Sequence, residues 1–137
     1  MNHDNPHHPD TTIYNHSLKV AITMTDYSTN DYKSNEDFYR VGVHHDIGKV
    51  FTKTFDEDGI AHYFNHANVS AYLYLLFFGE DVPANSKVLE EAFVIGNHMR
   101  HFSYKDKKKY EEWVDKLSPR IKKLLNSLTA ADEKDSV

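Results

Sequence analysis

Residues 41–71 read VGVHHDIGKVFTKTFDEDGIAHYFNHANVSA, and the pattern changes character twice along this stretch. Phe38, Val41 and His45 fall at helical spacing, so the segment opens as the end of a helix. His45 and Asp46 then stand side by side. Adjacent side chains cannot share one face of a regular helix or strand, so the pair fits a helix end, where the backbone can turn both groups toward one point. Between Phe51 and Phe64 the run Asp56-Glu57-Asp58-Gly59 lies between aromatic flanks, which reads as a hairpin-like loop. From Asn65 to about Phe78 the chain is strongly apolar and helical in character. The middle of the protein is therefore a helix, a hairpin-like loop and a second helix.

Working outward, Met1–Asp10 is polar, contains Pro6 and Pro9, and reads as an extended arm. Asp10 or Thr11 can cap a helix that runs to about Tyr27. Ser28–Asn35 is turn-rich, and a short helix from about Glu36 to His44 delivers the His-Asp pair. Gly79–Asn85, with Pro83, interrupts the apolar helix. A helix resumes from Ser86 to about Met99, Lys105–Lys116 forms a short solvated one, and Ser118-Pro119 opens the last. The expectation is an all-α bundle of about five or six helices with a loop or small hairpin near 51–64. It comprises an arm at 1–10 and a single domain over 11–137.

The chain has 137 residues and no cysteine. It is long enough to form a core without staples, and thiolate metal sites and cysteine nucleophiles are excluded. Any metal must be held by nitrogen and oxygen, which suits Mn, Fe, Co, Ni, Mg or Zn. The formal net charge of −5 argues against a general nucleic-acid-binding surface. No apolar run spans a bilayer and no charged-then-apolar leader begins the chain, so the expected location is cytoplasmic.

Four further ionisable residues join the His45-Asp46 pair. His16 lies on the stripe of Ile13 and Val20, and His66 shares a face with Val69, Leu73 and Leu76. His98 follows Val94 and Ile95, and Asp132 continues Ile121, Leu124 or Leu125, and Leu128. A lone histidine on an apolar face is usually a core residue satisfied by a carbonyl. Several helices each turning such a group inward is different, because each unpaired buried charge costs roughly several kcal/mol. A shared metal removes much of that cost. His44 reads as a structural neighbour, and the lysines of Lys105–Lys109 as a solvated face.

These residues resemble the HD-domain superfamily of metal-dependent phosphohydrolases. The 41–71 stretch is especially similar to the HD domain appended to bacterial CCA-adding tRNA nucleotidyltransferases and to related stand-alone HD proteins. NPHHPDTTIYNHSLKV (5–20) looks like that group's entry segment, IGNHMRH (95–101) like its later histidine motif, and LTAADEKD (128–135) like its closing Ala-Asp motif. The resemblance implies that His16, His45, Asp46 and Asp132 hold a first divalent ion. His66 and His98 match the histidines that hold a second ion in dinuclear members, with Asp46 bridging, while members with only the first four bind one, so the implied cofactor is one or two divalent ions. No nucleotidyltransferase head is present, so CCA polymerisation is not implied.

The expected activity is hydrolysis of a phosphomonoester or phosphodiester by a metal-activated hydroxide, since a bound divalent ion lowers the pKa of water to about 7. The expected substrate is a nucleotide, a cyclic nucleotide or another small phosphoester, or an RNA-end phosphate. Asp46 and Lys49 are the expected catalytic groups, and Lys49, His62, Arg100 and His101 the substrate contacts, with Arg100 suited to bidentate phosphate binding. Tyr63, Phe64, Tyr72, Tyr74, Phe77 and Phe78 read mostly as core. Two other readings use the same residues: an HD-type mixed-valence di-iron oxygenase, and a non-catalytic HD-fold binding module.

Overall fold

The computed structural model describes residues 12–28, 32–79 and 87–135, with only the backbone of 32–34. The expected arm, with His7 and His8, lies outside these residues. Among them the chain is almost wholly helical. In order come α1 (Ile13–Tyr27), α2 (Tyr32–His44), the one-turn α3 (Lys49–Thr52), β1 (Lys53–Phe55), β2 (Ala61–Tyr63) and α4 (His66–Phe78). These are followed by α5 (Lys87–Gly96), a 3-10 turn at Arg100–Ser103, α6 (Lys107–Asp115) and α7 (Pro119–Asp135).

Helix boundaries follow from local chemistry. The Thr12 side chain caps α1 by accepting from Asn15 N–H, so the cap is one or two residues later than the sequence suggested. α2 begins at Tyr32 rather than Glu36, which places part of the expected turn inside the helix. Asp106 caps α6 through Lys108 N–H, and Pro119 occupies the first position of α7, where its missing N–H costs nothing. The hairpin is real but shorter than 51–64. Lys53–Phe55 pairs antiparallel with Ala61–Tyr63, with Thr54 opposite His62. Asp56 closes its loop by accepting from Asp58 and Ile60 N–H.

The core is assembled from α1, α2, α4, α5 and α7. Val20, Met24, Val41, Tyr74, Val94, Ile95, Leu124, Leu125 and Leu128 are fully buried. α1 crosses α2 closely at Gly42, where a Cβ would lie 2.6 Å from Ala21 Cα. Beside this apolar core runs a buried ionic lattice. Glu91 is fully buried and accepts from Tyr74 Oη at 2.6 Å, Arg40 at 2.8 Å and Arg120 at 2.7 Å. Both arginines also reach Asp37. The lattice ties α2, α4, α5 and α7 together. No helix among the described residues is long and apolar enough to cross a membrane.

One expected stripe is corrected. His66 is buried with Ala67, Ser70 and Tyr74, not on a buried face with Leu76, which is exposed. Phe64, Tyr72 and Phe77 are likewise exposed rather than core. α4 is apolar on every side, so periodicity alone cannot choose which face turns inward.

Candidate metal centre

The turn after α2 is the seat of the site. Ile47 N–H donates to His44 C=O and Lys49 N–H to Asp46 C=O, which closes α2 and turns His45 and Asp46 into the interior. Gly48 makes this possible. A Cβ there would stand 2.3 Å from the His66 carbonyl oxygen and 2.7 Å from Ser70 N, so only glycine lets the turn rest directly on the first turn of α4. Its N–H donates to Ser70 Oγ at 2.8 Å. Asn65 adopts a left-handed conformation, φ 64°, which asparagine tolerates, and so redirects the chain from the hairpin into α4 with His66 at its start. His98 sits in the turn that follows α5.

Six side chains from these elements converge. His16, His45, Asp46 and Asp132 form one group, and Asp46, His66 and His98 another; within each group the ligand atoms lie within 4.8 Å of one another. Asp46 divides its carboxylate between them. Its Oδ2 lies 3.5 Å from His16 Nε2 and 3.3 Å from His45 Nε2. Its Oδ1 lies 3.1 Å from His66 Nε2 and 3.3 Å from His98 Nε2. Asp132 Oδ1 completes the first group at 2.7 Å from His16 Nε2 and 3.4 Å from His45 Nε2.

The outer nitrogens fix what the inner ones can do. His45 Nδ1 meets Gly42 C=O at 2.6 Å, His66 Nδ1 meets Tyr63 C=O at 3.0 Å, and His98 Nδ1 meets Ile95 C=O at 2.6 Å. A carbonyl only accepts, so each Nδ1 carries the hydrogen, and in the neutral ring each Nε2 carries a lone pair. These lone pairs all point inward. His66 Nε2 and His98 Nε2 lie 3.3 Å apart, an acceptor facing an acceptor. His45 Nε2 and Asp46 Oδ1 are buried and make no aligned hydrogen bond. Such a set of lone pairs beside two carboxylates draws positive charge, as a proton or as a cation, and its nitrogen and oxygen donors are of the kind that can hold a divalent ion.

Titration directions agree. Burial alone would raise the pKa of Asp46, but the charges of His45 and Lys49 hold it well below the usual carboxylate range. Asp132 is also held well below that range: burial pushes it up, and hydrogen bonding to His16 and His45 outweighs the burial. For His45 burial pushes downward, yet the Asp46 charge and then Asp132 bring its pKa up to about 10. Two ionised carboxylates thus call for positive charge at this point.

The remaining expected residues divide. Lys49 is brought into the site, buried, with Nζ 3.1 Å from Asp46 Oδ2 and 5.0 Å from the centre of the Tyr63 ring. His101 sits at its edge, half-buried, and burial pushes its pKa down. His62 is held on the hairpin, 2.8 Å from Asp56 and stacked on Phe64. The Arg100 guanidinium packs 4.0 Å over the Trp113 ring and bonds Tyr104 Oη. His44 lies outside both ligand groups: its ring abuts Tyr74 and Phe78, and its Nδ1 meets Arg40 C=O. Sequence reasoning missed Asp135, whose Oδ2 lies 2.7 Å from His16 Nδ1. The available signal was its position one helical turn after Asp132.

Comparisons of the chain with family models, with curated proteins and with solved structures return no match.

Proposed function

We propose that this chain is a metal-dependent phosphohydrolase of the HD-domain kind, acting on a nucleotide or another small phosphoester. The observation that carries the reading is the split of Asp46: one carboxylate oxygen faces His16 and His45, the other faces His66 and His98. A single carboxylate shared by two ligand groups suits a pair of divalent ions. When bound, such ions supply a low-pKa water and neutralise phosphate charge.

The chain's own residues supply the rest. The Nδ1–H bonds of His45, His66 and His98 to backbone carbonyls, and of His16 to Asp135, hold each imidazole in one tautomer and orientation. Burial of His16, His45, His66 and His98 excludes bulk water and strengthens every charge interaction inside. The Lys49 ammonium, confined between Asp46 and Tyr63, is the cation placed to meet a phosphate oxygen. His101 stands at the rim for a further contact.

The test is an activity screen of protein loaded with Mn, Co, Ni, Mg or Zn. Substrates are a 2′,3′-cyclic nucleotide, nucleoside monophosphates, deoxynucleoside triphosphates and a bis-aryl phosphate. Turnover is expected with at least one metal, and Asp46→Ala should lose both turnover and metal uptake while keeping its helical circular dichroism. Undiminished turnover in Asp46→Ala would sink the assignment. Uptake of two irons with no hydrolysis of any substrate would favour oxygenase chemistry instead.

A further inference from the structure

α7 is held in two different ways along its length. Its body is fixed by apolar contacts, with Leu124, Leu125, Leu128 and Ala131 fully buried. Near its start Arg120 reaches Glu91 and Asp37. The last turn, Asp132-Glu133-Lys134-Asp135, carries no apolar side chain. It is tied to α1 through one imidazole: Asp132 Oδ1 lies 2.7 Å from His16 Nε2, and Asp135 Oδ2 lies 2.7 Å from His16 Nδ1.

The electrostatics of that turn oppose its closure. The C-terminal end of a helix carries partial negative charge, and Asp132, Glu133 and Asp135 add three carboxylates there against the ammonium of Lys134. Asp132 also stands close to Asp46, whose charge acts against its ionisation. A divalent ion shared by the two carboxylates reverses this repulsion, because each then faces a cation. Access points to the same turn. The Asp132 side chain is 21% exposed, against 8% or less for the other five groups of the centre. The centre is therefore least covered on the side of α7. Lifting residues 132–135 would free both nitrogens of His16 while the buried residues up to Ala131 stay packed.

We infer, on the reading of His16, His45, Asp46 and Asp132 as metal ligands, that the last turn of α7 is a clasp. It opens to admit a divalent ion, and the bound ion holds it shut against α1. Helix ends open locally at small cost, and this one has no apolar side chain to resist opening. Closure follows by linkage: the shut turn offers Asp132 to the ion and the open turn does not, so the ion favours the shut state.

The experiment is hydrogen exchange of the full chain, in EDTA and with whichever of Mn, Co, Ni, Mg or Zn binds tightest by calorimetry. In EDTA the amides of 132–135 should exchange at least about 100-fold faster than those of 121–128. With free ion at about 100 times its Kd, exchange over 132–135 should slow by about 100-fold. Asp46→Ala keeps all of α7 but lacks the central ligand, and metal should leave its exchange there unchanged. Exchange over 132–135 as slow in EDTA as over 121–128 overturns the clasp, and so does slowing that persists in Asp46→Ala. An ion that binds yet leaves those amides exchanging at the same rate overturns the clasp alone and spares the ligand assignment. If no ion binds, the ligand assignment fails and the clasp fails with it.

Discussion

At His16 two carboxylates from one helix grip a single imidazole. Asp132 Oδ1 stands 2.7 Å from Nε2 and Asp135 Oδ2 stands 2.7 Å from Nδ1. Only Asp132 can serve as a ligand on the inner side. Asp135 acts through the ring: by accepting the Nδ1 hydrogen it keeps the lone pair on Nε2 and fixes the ring's orientation. Asp135→Asn retains size and one acceptor but loses the charge, and should weaken divalent-metal binding by about 10–100-fold. Titration calorimetry with Mn or Zn measures this directly, and Asp135→Glu should restore part of the affinity. Equal affinity in Asp135→Asn and wild type would remove Asp135 from the site. The lysine of the His-Asp-Ile-Gly-Lys run behaves differently from an ordinary lysine at a loop start, because Asp46 holds it inside the protein.

Among the elements, the α1–α2 crossing has a strict steric requirement. α1 brings His16 and α2 delivers His45 and Asp46, so their separation sets the first ligand group. The crossing closes at Gly42 over the backbone of Ala21. Gly42→Ala would place its Cβ against Ala21 Cα and N, at 2.6 and 2.9 Å, atoms that cannot move without shifting α1. Overpacking of this kind costs roughly 1–3 kcal/mol. The expected result is a lowered midpoint in urea unfolding together with weaker metal binding, since both partners of the crossing carry ligands. An unchanged midpoint would show that the helices part without penalty. The hairpin plays a lesser role, pinning His62 to Asp56 and leading into the left-handed Asn65 that starts α4.

Across the whole molecule, two polar systems divide the interior. One is the ligand cluster at the end of α2; the other is the Glu91 lattice, which spans α2, α4, α5 and α7. Burial, followed by the charge of Glu91, pushes the Tyr74 hydroxyl pKa upward, so it stays a hydrogen-bond donor. Removing one partner of such a buried set leaves the others uncompensated, and Glu91→Gln should cost about 3–5 kcal/mol. Denaturant titration reads this loss, and a change within experimental error would mean that the arginines find water instead. Helix number and most helix limits were legible in the sequence, because capping residues, proline and glycine act locally. The inward set His16, His45, His98 and Asp132 was legible too, since each follows a clear apolar stripe. For His66 the inward position was legible and the stripe was not.

The difference has one physical origin. Sequence periodicity reports a helix's faces only when those faces differ, as they do in α1, α5 and α7. On its own, the sequence therefore determined an all-α chain with ionisable groups on several buried faces, a donor set without sulfur, and a hairpin between two helices. Only the tertiary structure decided which side of the uniformly apolar α4 turns inward, because that depends on what packs against it. It also decided that Asp135 reaches His16 across 119 residues, and that Glu91 gathers two arginines and a tyrosine. Contacts between groups far apart in the chain follow from how helices cross, and close approaches at single glycines, Gly42 and Gly48, set those crossings here.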